Sequence, residues 1–142
     1  MIEIDIHYDG DLRCTATHGP SQTELQTDAP KDNHGKGETF SPTDLLATAL
    51  GTCMATTMGI LARKQGWDLT GLHVNVIKEM TSSPPRKIAR LPTCLFIPEA
   101  TTRKLNADAR AQLENAAHTC PVKLSLADSV DVLVTFDWEG ID

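Results

Sequence analysis

Between Asp44 and Arg63 the chain carries no charged residue, and this eighteen-residue run, Leu45 to Ala62, constrains the fold more than any other part of the sequence. It is preceded by Ser41-Pro42-Thr43-Asp44. A hydroxyl at the cap, a proline at the first helical position and a carboxylate three residues after the cap satisfy and charge-complement free N–H groups, so a helix is expected from Ser41 to about Gly66. Its length touches the lower limit for a membrane span, but Ala, Thr and Gly fill it where a bilayer helix would use Leu and Ile. A helix without a polar face has to be covered on all sides by protein, which a small domain does poorly alone, so a second subunit is expected. Ala47, Gly51, Ala55 and Gly59 form a small stripe along the helix, and Leu46, Leu50, Met54 and Met58 a large one. The small stripe permits close approach either by the chain's own sheet or by a second helix in a dimer.

On either side of this helix the pattern is mostly that of strands. Ile2, Ile4, Ile6 and Tyr8 alternate with Glu3, Asp5 and His7, the period of a half-buried strand. Asp9-Gly10-Asp11 is expected to turn it into a second strand through Leu12, Cys14 and Ala16, and Thr23 to Thr27 can add a third. Asp28 to Thr39 lacks periodicity and reads as a mobile surface loop. Beyond Trp67, Leu72, Val74 and Val76 mark a strand, Ser82-Ser83-Pro84-Pro85 a turn, and Ile88 to Ile97 another strand. Asn106 can cap a helix with Ala109, Leu113 and Ala116 on its apolar side, and a short helical stretch follows Cys120 to about Leu126. A last strand carries Val130, Val132, Val134, Phe136 and Trp138 on one face. The expectation is an α+β fold in one domain, residues 1–142, with N-terminal antiparallel strands, a long central helix, further strands and two shorter helices.

Thirteen basic against nineteen acidic residues give a net charge of −6 without a cluster of Lys and Arg, which argues against nucleic acid as a partner. The N-terminus lacks the pattern of a secretion signal, so a cytoplasmic location is expected, and with it reduced thiols. Cysteines stand at 14, 53, 94 and 120 with no Cys-x-x-Cys pair, and no His-Glu-x-x-His spacing occurs, so no metal is expected. Cys14 and Cys94 fall on expected strands and are most simply packing thiols. Cys53 lies midway along the helix, where a buried cysteine is ordinarily an inert small hydrophobe. Cys120, in Thr119-Cys120-Pro121, sits where the first turn of a helix can stabilise a thiolate. His118 can pair with it or simply end the preceding helix in solvent.

The segment Phe40-Ser41-Pro42-Thr43-Asp44-Leu45-Leu46-Ala47-Thr48-Ala49-Leu50-Gly51-Thr52-Cys53 resembles the central-helix signature of the OsmC and organic hydroperoxide resistance superfamily, and His118-Thr119-Cys120-Pro121-Val122 resembles its second cysteine motif. The small-residue pattern is most similar to the generic OsmC-like branch. The resemblance implies an intertwined homodimer with paired central helices and active sites near the interface. It also implies a reaction, in which the Cys53 thiolate attacks a hydroperoxide and becomes a sulfenic acid. Cys120 condenses with it to a disulfide, and an external dithiol reduces the bond without any bound cofactor.

The peroxidase branches pair the attacking thiol with an arginine of the N-terminal hairpin and a glutamate ten residues before the first cysteine. That glutamate position is Thr43 here, with Asp44 beside it, and the turn Asp9-Gly10-Asp11 lacks the arginine. Arg13 is the nearest candidate donor, although it alternates away from Leu12 and Cys14, and Asp44 is more simply the capping carboxylate. The competing expectation is a non-enzymatic or purely structural dimer module whose Met- and Ala-rich helix lines an apolar pocket, in which case both cysteines are dispensable.

Overall fold

The computed structural model describes residues 1–141. It divides into two compact units, Met1–Leu46 and the remainder from Ala47.

In the first unit, β1 (Ile4–Gly10), β2 (Arg13–His18) and β3 (Glu24–Asp28) form an antiparallel sheet in that order. Gly10 pairs with Arg13, so the hairpin loop is only Asp11-Leu12, both at positive φ (49° and 62°). This is one residue later and tighter than the expected turn. Two successive left-handed residues match the twist of the flanking strands, which is why such loops close hairpins. The period-2 pattern of the first strand holds, but its apolar face is not half-buried: Ile4, Ile6 and Tyr8 are 59, 62 and 67% exposed. The cross-strand register places Leu25, Cys14 and Ala16 on that same face.

The long helix α1 runs from Pro42 to Gln65. Its start is a reciprocal cap: Ser41 N–H donates to Asp44 Oδ2 at 2.8 Å, and Asp44 N–H to Ser41 Oγ at 3.1 Å. Length and mean hydropathy (1.6) would let α1 cross a membrane. Its packing is that of a helix inside a protein, since Leu50, Met54 and Met58 have no solvent exposure. The outer stripe Thr48, Thr52, Thr56 and Ile60 is exposed. The expected cover on all sides is therefore incomplete within one chain. Thr52 and Thr57 tolerate their mid-helix places by donating back to the carbonyls of Thr48 and Cys53, both at 2.8 Å.

The second unit holds β4 (His73–Val76), β7 (Thr93–Ile97) and β8 (Val134–Trp138) in one sheet, and β5 (Glu79–Met80) with β6 (Ile88–Arg90) in a small hairpin. The strand expected over Ile88–Ile97 is thus two strands. Pro92 has no N–H for a ladder, and Leu91 N–H bonds instead to Asp131 O at 2.8 Å. The last strand starts at Val134 rather than Val130, and the chain ahead of it makes only a single bridge, Asp131 to Arg90.

β4 pairs antiparallel with β7, and β7 parallel with β8. A parallel pair needs a long crossover, and here it carries α2 (Glu99–Thr102), α3 (Ala107–His118) and α4 (Pro121–Ser125). The short α2 gave no sequence signal. Asn106 caps α3 as expected, accepting Ala109 N–H at 2.8 Å. Trp138 of β8 ties back to α3 through its indole N–H, which donates to Glu114 at 2.7 Å.

The small stripe of α1 serves two surroundings. A Cβ on Gly51 would sit 2.9 Å from Val76 Cγ2 and 3.4 Å from Val74 Cγ1, so Gly51 lets the helix lie close on β4. A Cβ on Gly59 would meet nothing within 4 Å. Leu95 and Ile97 of β7, Leu91 and Leu113 are fully buried with Leu50, Met54 and Met58 and complete the core of this unit.

Candidate active site

Cys120 is not inside the first turn of α4 but is its N-cap, with extended backbone (φ −64°, ψ 141°) and Pro121 at the first helical position. Its Sγ accepts the Lys123 N–H at 3.4 Å. The backbone is pinned on both sides: Cys120 N–H donates to Ala117 O at 3.2 Å, and its carbonyl accepts Leu124 N–H at 3.1 Å. The residue has no solvent exposure. Burial pushes the Cys120 thiol up, the Lys123 N–H opposes this, and the neighbouring Cys53 thiol raises it further through a hydrogen bond and its charge.

Cys53 is half-buried in the middle of α1. The fold therefore brings together the two cysteines that the sequence singles out. A buried, hydrogen-bonded sulfur beside a partly open one is an arrangement for thiol–disulfide chemistry, because the two sulfurs differ in access. All four cysteines are free thiols. Cys14 stands on β2 opposite Tyr8 and Thr27, and Cys94 on β7 opposite Asn75 and Thr135, and both are half-buried.

His118 is exposed, and its ring meets Phe136 edge-on at 5.7 Å between centroids, so it ends α3 in solvent. Among the described residues no group of three or more His, Cys, Asp or Glu side chains is arranged to hold a metal ion.

The other two sequence candidates lie in the first unit. Asp44 closes the cap of α1. Arg13 opens β2 directly across from Asp28 on β3, with its guanidinium 2.9 Å from Glu38 and 3.7 Å from Asp28. Asp28, whose side chain is wholly buried, also accepts the Glu38 N–H at 3.0 Å. That N–H, then the Arg13 charge and further backbone donors, hold the Asp28 carboxyl below its usual range against the opposing effect of burial. Sequence reading missed Asp28 and Glu38 as partners of Arg13, since both fall in the stretch taken for a mobile loop. That loop contains a 3₁₀ turn at Lys31–Asn33 and is tied down by Asp28 N–H to Phe40 O (3.1 Å) and Ala29 N–H to Leu12 O (3.2 Å).

Fold and site together define an α+β protein with a two-cysteine centre assembled from a long helix and the cap of a later short one. Residues 35–135 match the family model of the OsmC-like proteins, and the chain belongs to that family. A Psychrobacter arcticus protein assigned provisionally to osmotic stress induced and detoxification response is 39% identical, with a TM-score of 0.87 over 96% of both chains. Two more distant neighbours share the fold. The organic hydroperoxide resistance protein OsmC of Legionella pneumophila is 18% identical with a TM-score of 0.71 over 96% of each chain. The organic hydroperoxide resistance protein OhrB of Bacillus subtilis is 17% identical with a TM-score of 0.68, over 96% of this chain and 98% of its own. No functionally curated protein matches the sequence.

Proposed function

We propose that this protein is a cytoplasmic, cysteine-based hydroperoxide reductase. The Cys53 thiolate attacks the O–O bond of a hydroperoxide, an alcohol or water leaves, and Cys53 becomes a sulfenic acid. Cys120 condenses with it, releasing water and forming a disulfide. An external dithiol then restores both thiols, and no bound cofactor takes part. The observation that carries this reading is the interaction of Cys53 with Cys120, two residues far apart in sequence, one within α1 and the other capping α4. Organic hydroperoxide resistance in two fold neighbours supports the choice of substrate class.

The working unit in this proposal is a homodimer. The exposed apolar face of Ile4, Ile6, Tyr8 and Leu25, and the open outer stripe of α1 with Gly59 beside it, are the surfaces a second copy would cover. Arg13 and Asp44 remain subsidiary candidates for the site, to be tested by substitution.

One equivalent of an organic hydroperoxide should produce a mass loss of two hydrogens and a linked peptide pair containing Cys53 and Cys120. Cys53→Ser should abolish peroxide consumption, because a serine hydroxyl ionises far too weakly to replace a thiolate. Cys120→Ser should stop after one turnover with a dimedone-reactive sulfenic acid on Cys53. Undiminished consumption by Cys53→Ser, or a linkage through Cys14 or Cys94, would overturn the assignment in favour of a binding module.

A further inference from the structure

Between α3 and β8 lies an open groove of about 410 Å³, within the size range of small-molecule sites. Ala107, Arg110, Ala111 and Glu114 form its helical wall, at the i, i+3, i+4 and i+7 spacing that puts them on one face of α3. Phe136 and Trp138 of β8 supply the rings that face them. β8 is the last strand in its sheet, and both rings stay half-buried. Asp137, between them, alternates to the other face of the sheet, so its charge points away from the rings. Ala107 and Ala111 carry only methyl groups and leave room above the helix.

The walls are held in place by contacts of their own. The Trp138 indole N–H donates to Glu114 Oε1 at 2.7 Å, and the His118 ring meets Phe136 edge-on. Arg110 Nη1 donates to the carbonyl of Leu105 at 3.4 Å. The rest of the Arg110 donor fork and the second oxygen of Glu114 are uncommitted, and among the described residues neither side chain meets an opposite charge. One wall of the groove therefore offers a cation and an anion, one helical turn apart and both half-buried, opposite two aromatic rings. A ligand carrying a single charge would match one of them and cover the other without a partner, which is costly. A zwitterion matches both.

We propose that this groove binds a free α-amino acid with an aromatic or large apolar side chain. Its carboxylate pairs with the open donors of Arg110, its ammonium with Glu114 Oε2, and its side chain lies against Phe136 and Trp138. Two long side chains whose Cβ atoms stand about 5–6 Å apart can converge on charges that share one carbon atom. Because the groove is open to solvent, the affinity is modest, with a Kd on the order of 1 mM. The site uses neither Cys53 nor Cys120, so it stands independently of the peroxidase reading.

The indole N–H of Trp138 is the reporter for the test. In protein carrying isotope-labelled tryptophan, its NMR signal is assigned by comparison with Trp67→Phe and followed near neutral pH during titration with L-phenylalanine, phenylacetate, phenethylamine or glycine. L-phenylalanine should shift the signal saturably. Phenylacetate lacks the ammonium, phenethylamine the carboxylate and glycine the ring, and each should bind at least about tenfold more weakly. Arg110→Gln should lower the affinity for L-phenylalanine to that of phenethylamine. Glu114→Gln keeps a carbonyl for the Trp138 N–H and should lower it to that of phenylacetate. No saturable shift with L-phenylalanine, or equal affinity for any of the other three compounds, would overturn the proposal, and so would full affinity in either variant. The four compounds on the unaltered protein decide the matter even where a variant folds poorly.

Discussion

The two sheets of this protein spend their apolar residues in opposite ways. On β7, Thr93, Leu95 and Ile97 are buried, and Gly51 of α1 comes within van der Waals reach of Val74 and Val76 on the adjacent β4. That sheet completes its own core. On β1 the corresponding alternation, Ile4, Ile6 and Tyr8, leaves every side chain more than half exposed. Periodicity alone cannot separate the two cases, because it reports that a face wants burial and says nothing about where the cover comes from. The contrast teaches that the sheet of the second unit is covered from within the chain, whereas the sheet of the first presents its apolar face to solvent.

Substitutions in the two sheets should separate these cases most sharply. Leu95→Ala or Leu113→Ala removes a fully buried side chain and should cost about 2–5 kcal/mol in unfolding free energy, read from urea midpoints. Ile6→Ser should cost the isolated chain no more than about 0.5 kcal/mol, since its side chain is already in solvent. In sedimentation at micromolar concentration, however, the proposed homodimer should appear at twice the chain mass, and Ile6→Ser should shift it toward the monomer. A variant that stays dimeric would remove the β1 face from the assembly.

The two glycines of α1 sharpen the comparison at smaller amplitude. Gly51→Ala drives a methyl against Val76 and should destabilise by about 1–3 kcal/mol, as overpacking does. Gly59→Ala meets open space and should instead gain up to about 1 kcal/mol from helix propensity. If Gly59→Ala is destabilising only at concentrations where the dimer forms, a second copy lies close to that position. The stripe read as uniform would then have one half devoted to each surface.

The elements that the sequence made legible are those with strong local causes. The Ser41/Asp44 cap, the Asn106 cap and the uncharged run located α1 and the start of α3 to within a residue or two, because capping and periodicity act over a single turn, while the apolar side of α3 closes on Ala117 rather than the expected Ala116. The break at Pro92 was readable in principle, and a strand drawn through it ignored the missing N–H. The pinned loop after Asp28 was not readable, since its order comes from a buried carboxylate collecting distant N–H groups. At the site, Cys53 and Cys120 were found through their motif resemblance, while Cys120's burial and its bond from the Lys123 N–H depend on tertiary placement. Arg13's engagement with Glu38 and Asp28 follows from β-register, which no local pattern displays.

The smallest effect expected is a pH-dependent one, and it tests whether that pinned loop contributes to the stability of the first unit. The Asp28 carboxyl is lowered from 3.8 in the folded chain, chiefly by the Glu38 N–H and with help from the Arg13 charge. A group depressed on folding contributes stability that is fully present above its unfolded value and is lost as pH falls through the folded one, because the unfolded chain takes up the proton first. Stability of the wild type should therefore decline as pH drops below about 4, near the unfolded carboxylate value. Asp28→Asn cannot take up that proton. It should be less stable than the wild type at pH 7, where the ionised partner of Arg13 is missing, and the gap between the two proteins should narrow as the pH is lowered to 3. Taking the difference between the two curves cancels the titration of the other acidic residues. A gap that stays constant from pH 7 to pH 3 would mean that the Asp28 charge adds nothing and that only the shape of the side chain holds the loop.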